Sequence, residues 1–210
     1  VVKRAASMKL SIHPLFMLLL FLIVLYGNIA LYSVLIISLL VHELGHLLAA
    51  KLVGAKIQRC IIMPYGGEIT LKNELQLSYN QMTLIALGGP IATCFGIVMA
   101  GMLPENLSTS FIEIQLLLLA VNLVPIWPLD GAKILCFLLL NHYKKIIVYE
   151  RYLTISFYLL TAIIIVLLYL LPRSLSLVVI SLFLWSKVIG EWRNRKYRSA
   201  FEKLVMNRLT

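Results

Sequence analysis

Long apolar runs dominate the chain, and the few polar positions between them mark where each run stops. No Lys, Arg or Asp lies between Lys9 and Lys51, and only His13, His42, Glu43 and His46 interrupt that stretch. At about 1.5 Å of rise per residue it is too long for one crossing of a hydrocarbon core about 30 Å thick. Gly27-Asn28 offers a tight turn, which predicts two spans over about 12–26 and 29–50. A third is predicted over about 80–102, inside the uncharged interval between Glu74 and Glu105. A fourth runs from about 112 to 140, interrupted by Pro125, Pro128 and Asp130, and a fifth occupies about 152–171. Pro172-Arg173-Ser174 turns the fifth into a short sixth, about 175–190. Residues 56–72 read differently: apolar and β-branched residues flank Pro64-Tyr65-Gly66-Gly67, which predicts a β-hairpin. The predicted fold is all-α and polytopic, with six transmembrane helices and one short hairpin, in a single domain over residues 1–210.

Composition removes the soluble alternative. Of 210 residues, 61% are hydrophobic and only 13% are charged, about half the usual globular share. A soluble domain of this size needs more polar surface to cover its core. The formal charge of +10 is distributed by position. Lys3, Arg4 and Lys9 precede the first span. Lys51, Lys56, Arg59 and Lys72 come after the second, Lys144, Lys145 and Arg151 after the fourth, and Arg193, Arg195, Lys196, Arg198, Lys203 and Arg208 form a basic tail over about 191–210. The opposite connections hold Arg173 alone, which predicts both termini in the cytoplasm. The basic excess therefore sets orientation beside the lipid bilayer and implies no nucleic-acid partner. The first span lacks a small-x-small cleavage pattern before Gly27 and reads as a retained helix. Cys60, Cys94 and Cys136 have no paired spacing and read as apolar fillers.

Ionisable side chains at membrane depth are costly and mark function. The second span carries His42-Glu43-Leu44-Gly45-His46, a His-Glu-x-x-His pattern. Residues at i and i+4 leave one helix face together, so both imidazoles can bind one zinc ion. Glu43 stands beside them, suited to moving a proton for attacking water. A catalytic zinc site usually takes a third protein ligand and leaves a position open. Asp130, the only aspartate in the chain, lies in Asn122-Leu-Val-Pro125-Ile-Trp127-Pro128-Leu-Asp130-Gly131. Two prolines three residues apart break the helix there, and broken backbone at membrane depth belongs where it is buried or lines a cavity. Asn122 is a candidate donor to a substrate carbonyl, or else to a neighbouring helix. Pro125, Pro128, Tyr65 and Gly66 are candidate walls of the site. Gly88-Gly89-Pro90 reads as a close-packing device, His13 as structural, and His142 as solvated in a basic loop.

His42-Glu-Leu-Gly-His46 together with Asn122-x-x-Pro-x-x-Pro-x-Asp130-Gly131 resembles the site-2 protease family of intramembrane zinc metalloproteases. Pro64-Tyr65-Gly66-Gly67 and Gly88-Gly89-Pro90 extend the resemblance across most of the chain. It implies one zinc per chain held by His42, His46 and Asp130, with Glu43 as the catalytic acid and base. It also implies that the hairpin re-enters the membrane beside the metal and offers an edge to an unwound substrate. The wording Pro125-Ile-Trp-Pro-Leu-Asp130-Gly131 and the compact layout are most similar to a sporulation branch of that family. That branch implies a membrane-associated pro-sigma factor (pro-sigma-K) as substrate, inhibitory membrane partner proteins, and the mother-cell membrane around the forespore. Members of it often continue into a cytoplasmic CBS domain, which these residues do not include. Homo-oligomerisation stays open. Two other readings are a general site-2 protease acting on anti-sigma factors or signal-peptide remnants, and a membrane metal transporter. Against transport, the polar groups gather at one depth and no inverted pair of broken helices is evident.

Overall fold

The computed structural model describes residues 9–12, 14, 16–17, 29–63, 66–143, 145–170, 177–179 and 181–194. Most of the predicted first span, the Gly27-Asn28 turn, His13, Tyr65, the 172–174 turn and most of the basic tail lie outside the described residues. The chain divides into two compact units, Val1–Leu123 and Val124–Thr210.

The first unit contains β1 (Lys9–Ile12), α1 (Ile29–Leu52), β2 (Ile57–Met63), β3 (Gly66–Leu71), a single 3₁₀ turn at Glu74–Gln76, α2 (Tyr79–Ala100) and α3 (Glu105–Asn122). The hairpin predicted over 56–72 is β2 and β3, paired antiparallel from Ile57↔Leu71 to Met63↔Gly66. The sheet has a third strand, which the sequence pattern does not predict. β1 runs parallel to β2, with Lys9 opposite Arg59 and Ile12 opposite Ile62, so the sheet order is β1-β2-β3. That pairing covers one edge of β2, the kind of open edge folds tend to close.

α1 shows why this unit suits lipid. Ser38, His42, Glu43, Gly45 and His46 face inward, while Leu40, Leu44 and Leu48 are exposed. This is the reverse of a soluble amphipathic helix, whose apolar stripe faces the core. In a bilayer it is the stable arrangement, because exposed leucines meet acyl chains and polar groups find partners inside the bundle.

α2 packs antiparallel against α1. It begins with a capping box, in which Gln81 N donates to Ser78 Oγ and Ser78 N donates to Gln81 Oε1. Its middle carries Gly88, Gly89 and Pro90. A Cβ on Gly45 would collide with the Gly88 carbonyl and Ala92 Cβ, and one on Gly88 would come 2.7 Å from Ala49 Cβ. Gly45-xxx-Ala49 on one helix therefore meets Gly88-xxx-Ala92 on the other, the small-residue crossing common between membrane helices.

The second unit begins with the broken end of the predicted fourth span. The interruption at Pro125 and Pro128 is a non-helical stretch leading into α4 (Asp130–Leu140), and α5 covers Lys145–Tyr169. The Trp127–Pro128 peptide is cis. α5 begins seven residues earlier than the predicted fifth span and so takes in Lys145 and Arg151. Residues 177–179 and 181–194 are helical as well. One face of α5 serves the broken stretch: Ser156 Oγ accepts from Trp127 N at 3.0 Å, and Tyr152 Oη donates to the Pro125 carbonyl at 3.4 Å. Tyr149 meets the Trp127 ring edge-on at 5.4 Å.

Among the described residues, three helical stretches are long and apolar enough to cross a membrane: Ser33–Leu52, Tyr79–Ala100 and Ile147–Tyr169. Leu107–Asn122 is a shorter apolar helix. The fold is mostly helical with one small three-stranded sheet.

Candidate metal centre

The local reason for the centre is the α-helical register of α1. His42 and His46 sit one turn apart on its buried face, with their ring centroids 4.9 Å apart and nearly perpendicular. Both side chains are fixed by α2. His46 Nδ1 donates to the Ile85 carbonyl at 2.8 Å, and His42 Nδ1 bonds Thr93 Oγ1 at 2.8 Å. Occupying each Nδ1 turns the two Nε2 atoms toward one another, 3.2 Å apart. Two imidazole nitrogens that share one zinc at about 2.0–2.1 Å and near the tetrahedral angle stand roughly 3.3 Å apart. The histidine pair therefore fits a zinc ion.

Gly89 makes this approach feasible. A Cβ there would run into Nε2 of both His46 and His42. The Gly88-Gly89 pair thus has two tasks on adjacent faces, one against the α1 backbone and one against the imidazoles.

Glu43 occupies the next position on α1 and is buried. The hairpin covers it. Gly66 adopts φ +136, and a Cβ there would lie 2.9 Å from Glu43 Oε1. A Cβ on Gly67 would overlap Glu43 Oε2. Only glycine backbone can lie so close, and Gly66 also needs the left-handed conformation. Glu43 Oε2 is buried with no hydrogen-bond partner. Buried polar atoms are usually satisfied, and an orphan oxygen on a carboxylate suits a group whose partner is a reactant.

Asn122 ends α3, buried, and its Nδ2 donates to Leu118 O of its own helix at 3.0 Å. Asp130 is the first residue of α4, in the second unit, and its Oδ1 lies 3.4 Å from Lys133 Nζ. Pro125 offers its carbonyl to Tyr152, and Pro128 comes directly after Trp127, whose N–H is held by Ser156. Cys60, Cys94 and Cys136 are free thiols; Cys60 and Cys136 are buried, while Cys94 is exposed on α2. Burial, and then the charge of Glu43, push the Cys60 thiol above its ordinary value. A protonated thiol is a poor ligand and nucleophile, in keeping with a filler role. His142 is exposed.

Sequence reasoning missed Thr93, the Ile85 carbonyl and the glycine contacts with Glu43 and the histidines. It also missed Tyr149, Tyr152 and Ser156, although their i, i+3, i+7 spacing on an apolar helix was a readable signal.

Known proteins resemble this chain in sequence and in fold. Residues 30–112 and 76–167 match peptidase family M50. The chain is 29% identical over 199 residues to stage IV sporulation protein FB of Bacillus subtilis, covering 90% of this chain and 68% of that protein. It is 29% identical over 133 residues to a zinc metalloprotease of Methanocaldococcus jannaschii, covering 54% of this chain and 35% of that protein. The solved structure of a site-2 protease from Methanocaldococcus jannaschii shares the fold, with a TM-score of 0.68 and 24% identity over 91% of this chain and 94% of that one. The chain belongs to peptidase family M50, the site-2 proteases, and is an intramembrane zinc metalloendopeptidase.

Proposed function

We propose that His42, His46 and Asp130 hold the zinc ion and that Glu43 is the catalytic acid and base. The observation that carries this reading is the buried, unpartnered Glu43 Oε2 on the helical turn of two imidazoles whose Nε2 atoms converge at 3.2 Å. When bound, zinc supplies Lewis acidity, which lowers the pKa of water toward about 7 and steadies negative charge on a carbonyl oxygen. Glu43 Oε2 takes a proton from the attacking water and returns it to the leaving amine nitrogen, so one carboxylate serves both halves of the hydrolysis. The hairpin shields that carboxylate on one side through Gly66 and Gly67. Among the described residues β3 pairs only with β2, and a substrate strand adding to its other edge would present an extended peptide bond. Asn122, Pro125, Pro128 and Tyr65 shape the substrate path in this reading. A metal transporter would need no such carboxylate and no such edge.

The substrate in this proposal is a membrane-associated pro-sigma factor, pro-sigma-K, activated during sporulation. Its support is the Pro125-Ile-Trp-Pro-Leu-Asp130-Gly131 wording and the likeness to a sporulation protein over 90% of the chain. Inhibitory membrane partners, six spans, cytoplasmic termini and the mother-cell membrane belong to the same proposal. Co-expression with pro-sigma-K tests it. Wild type should yield the shortened product, and Glu43→Gln should bind zinc yet cleave at least about 100-fold more slowly. Equal cleavage by both proteins would assign the activity elsewhere.

A further inference from the structure

The first unit buries more polar atoms than the metal centre uses. Ser38, Thr93 and Gln115 come from α1, α2 and α3, and each has no exposed surface. Neither Oε1 nor Nε2 of Gln115 has a hydrogen-bond partner, and neither does Ser38 Oγ. Three orphan atoms in one small helical unit are costly if left unsatisfied, because each has given up its hydrogen bonds to water. Buried polar atoms of this kind are typically satisfied by internal water.

Their depths coincide. α1 and α2 are antiparallel, with His46 beside Ile85 and His42 beside Thr93. Ser38 lies one turn beyond His42, and Gly96 lies three residues beyond Thr93 in the same direction. A Cβ on Gly96 would come 2.8 Å from Gln115 Nε2, so the amide rests directly on the α2 backbone at that level. A rise of about 4.5 Å along α2 separates Gly96 from Thr93, which puts the amide and the Thr93 hydroxyl on neighbouring levels of the helix. Thr93 in turn holds His42 Nδ1. Gln115 thus rests on α2 at Gly96, one turn along from the Thr93 hydroxyl that holds His42, and Ser38 stands one turn along α1 from His42.

We infer that Ser38, Thr93 and Gln115 form a buried hydration site, and that Gln115 is a positioning residue acting through water and Thr93 on His42. Gly96 is part of this device because it leaves room for the amide. The inference rests on the reading of His42 as a metal ligand. Partners of ligating histidines commonly alter metal affinity by about 10–100-fold, so the effect is measurable without any protein substrate.

The test is zinc affinity of purified full-length protein in detergent, measured by competition with a chelator, together with thermal unfolding. Wild type should bind one zinc per chain; if it binds none, the metal reading itself fails. Gln115→Leu should bind zinc about 10-fold more weakly, and Gln115→Asn should recover most of that loss. In a Thr93→Val background, Gln115→Leu should add little further loss, since both act on the same imidazole. Should Gln115→Leu fail to fold, Ser38→Ala is expected to weaken zinc binding in the same direction. A Gln115→Leu protein with wild-type zinc affinity and an equal or higher unfolding temperature would overturn the inference, since removing an idle orphan amide is neutral or stabilising. A density map of the zinc-loaded protein should show ordered water on the Gln115 amide, and a direct amide–hydroxyl bond in dry space would also overturn it.

Discussion

Two glycine contacts in the first unit let the proposed metal binding and the proposed proton transfer be perturbed at separate single positions. The nearest atoms a Cβ would meet are those of the Glu43 side chain at Gly67 and those of the two imidazoles at Gly89. Gly67→Ala should therefore keep zinc and lower kcat by about 100-fold, the scale of a 1 Å misplacement of a reacting group. Gly89→Ala should lose zinc instead, with an affinity drop of at least about 10-fold by chelator competition. The pair His42 and His46, with Glu43 between them, was legible from spacing alone, because an i, i+4 relation is a local property of one helix. Thr93 and Ile85 were not, since they reach the imidazoles from another helix, 51 and 39 residues away in sequence. Nothing local in the pattern Gly88-Gly89-Pro90 tells which glycine faces a backbone and which faces a ring.

At the scale of elements, the broken stretch before Asp130 depends on a neighbouring helix. Its backbone lacks helical partners, and Trp127 N–H would be an orphan without Ser156. Ser156→Ala should cost about 1–3 kcal/mol, read as a lower thermal unfolding midpoint of the zinc-loaded protein. Tyr152→Phe, which removes one longer bond to Pro125, should cost less. The two prolines made the interruption legible in the sequence, but not the element that props it. The same limit applies to the sheet. The hairpin was visible as a turn between β-branched runs. Strand β1 was not, because its pairing joins Lys9 to Arg59 and four residues carry too little pattern of their own.

For the whole molecule, low charge and long apolar runs made a polytopic membrane protein readable, and three described helices have the required length. Their boundaries drifted where charged residues continue a helix, as Lys145 and Arg151 do in α5. Removing zinc with a membrane-permeant chelator should abolish proteolysis and lower the unfolding temperature, and zinc added back should restore both. The stabilisation should grow with free zinc, by about 2.7 kcal/mol at one hundred times the dissociation constant.

The Gly45–Gly88 crossing has a further consequence for how the enzyme matures. The turn of α1 that bears His42, Glu43 and His46 is also the turn on which α2 docks. Each helix can insert into lipid separately, but the imidazoles gain their fixed orientation only when α2 arrives with Thr93 and the Ile85 carbonyl. Metal capture is thereby tied to successful assembly. A nascent or misinserted chain would present no ordered histidine pair to zinc, and so would stay inert toward the other membrane proteins around it.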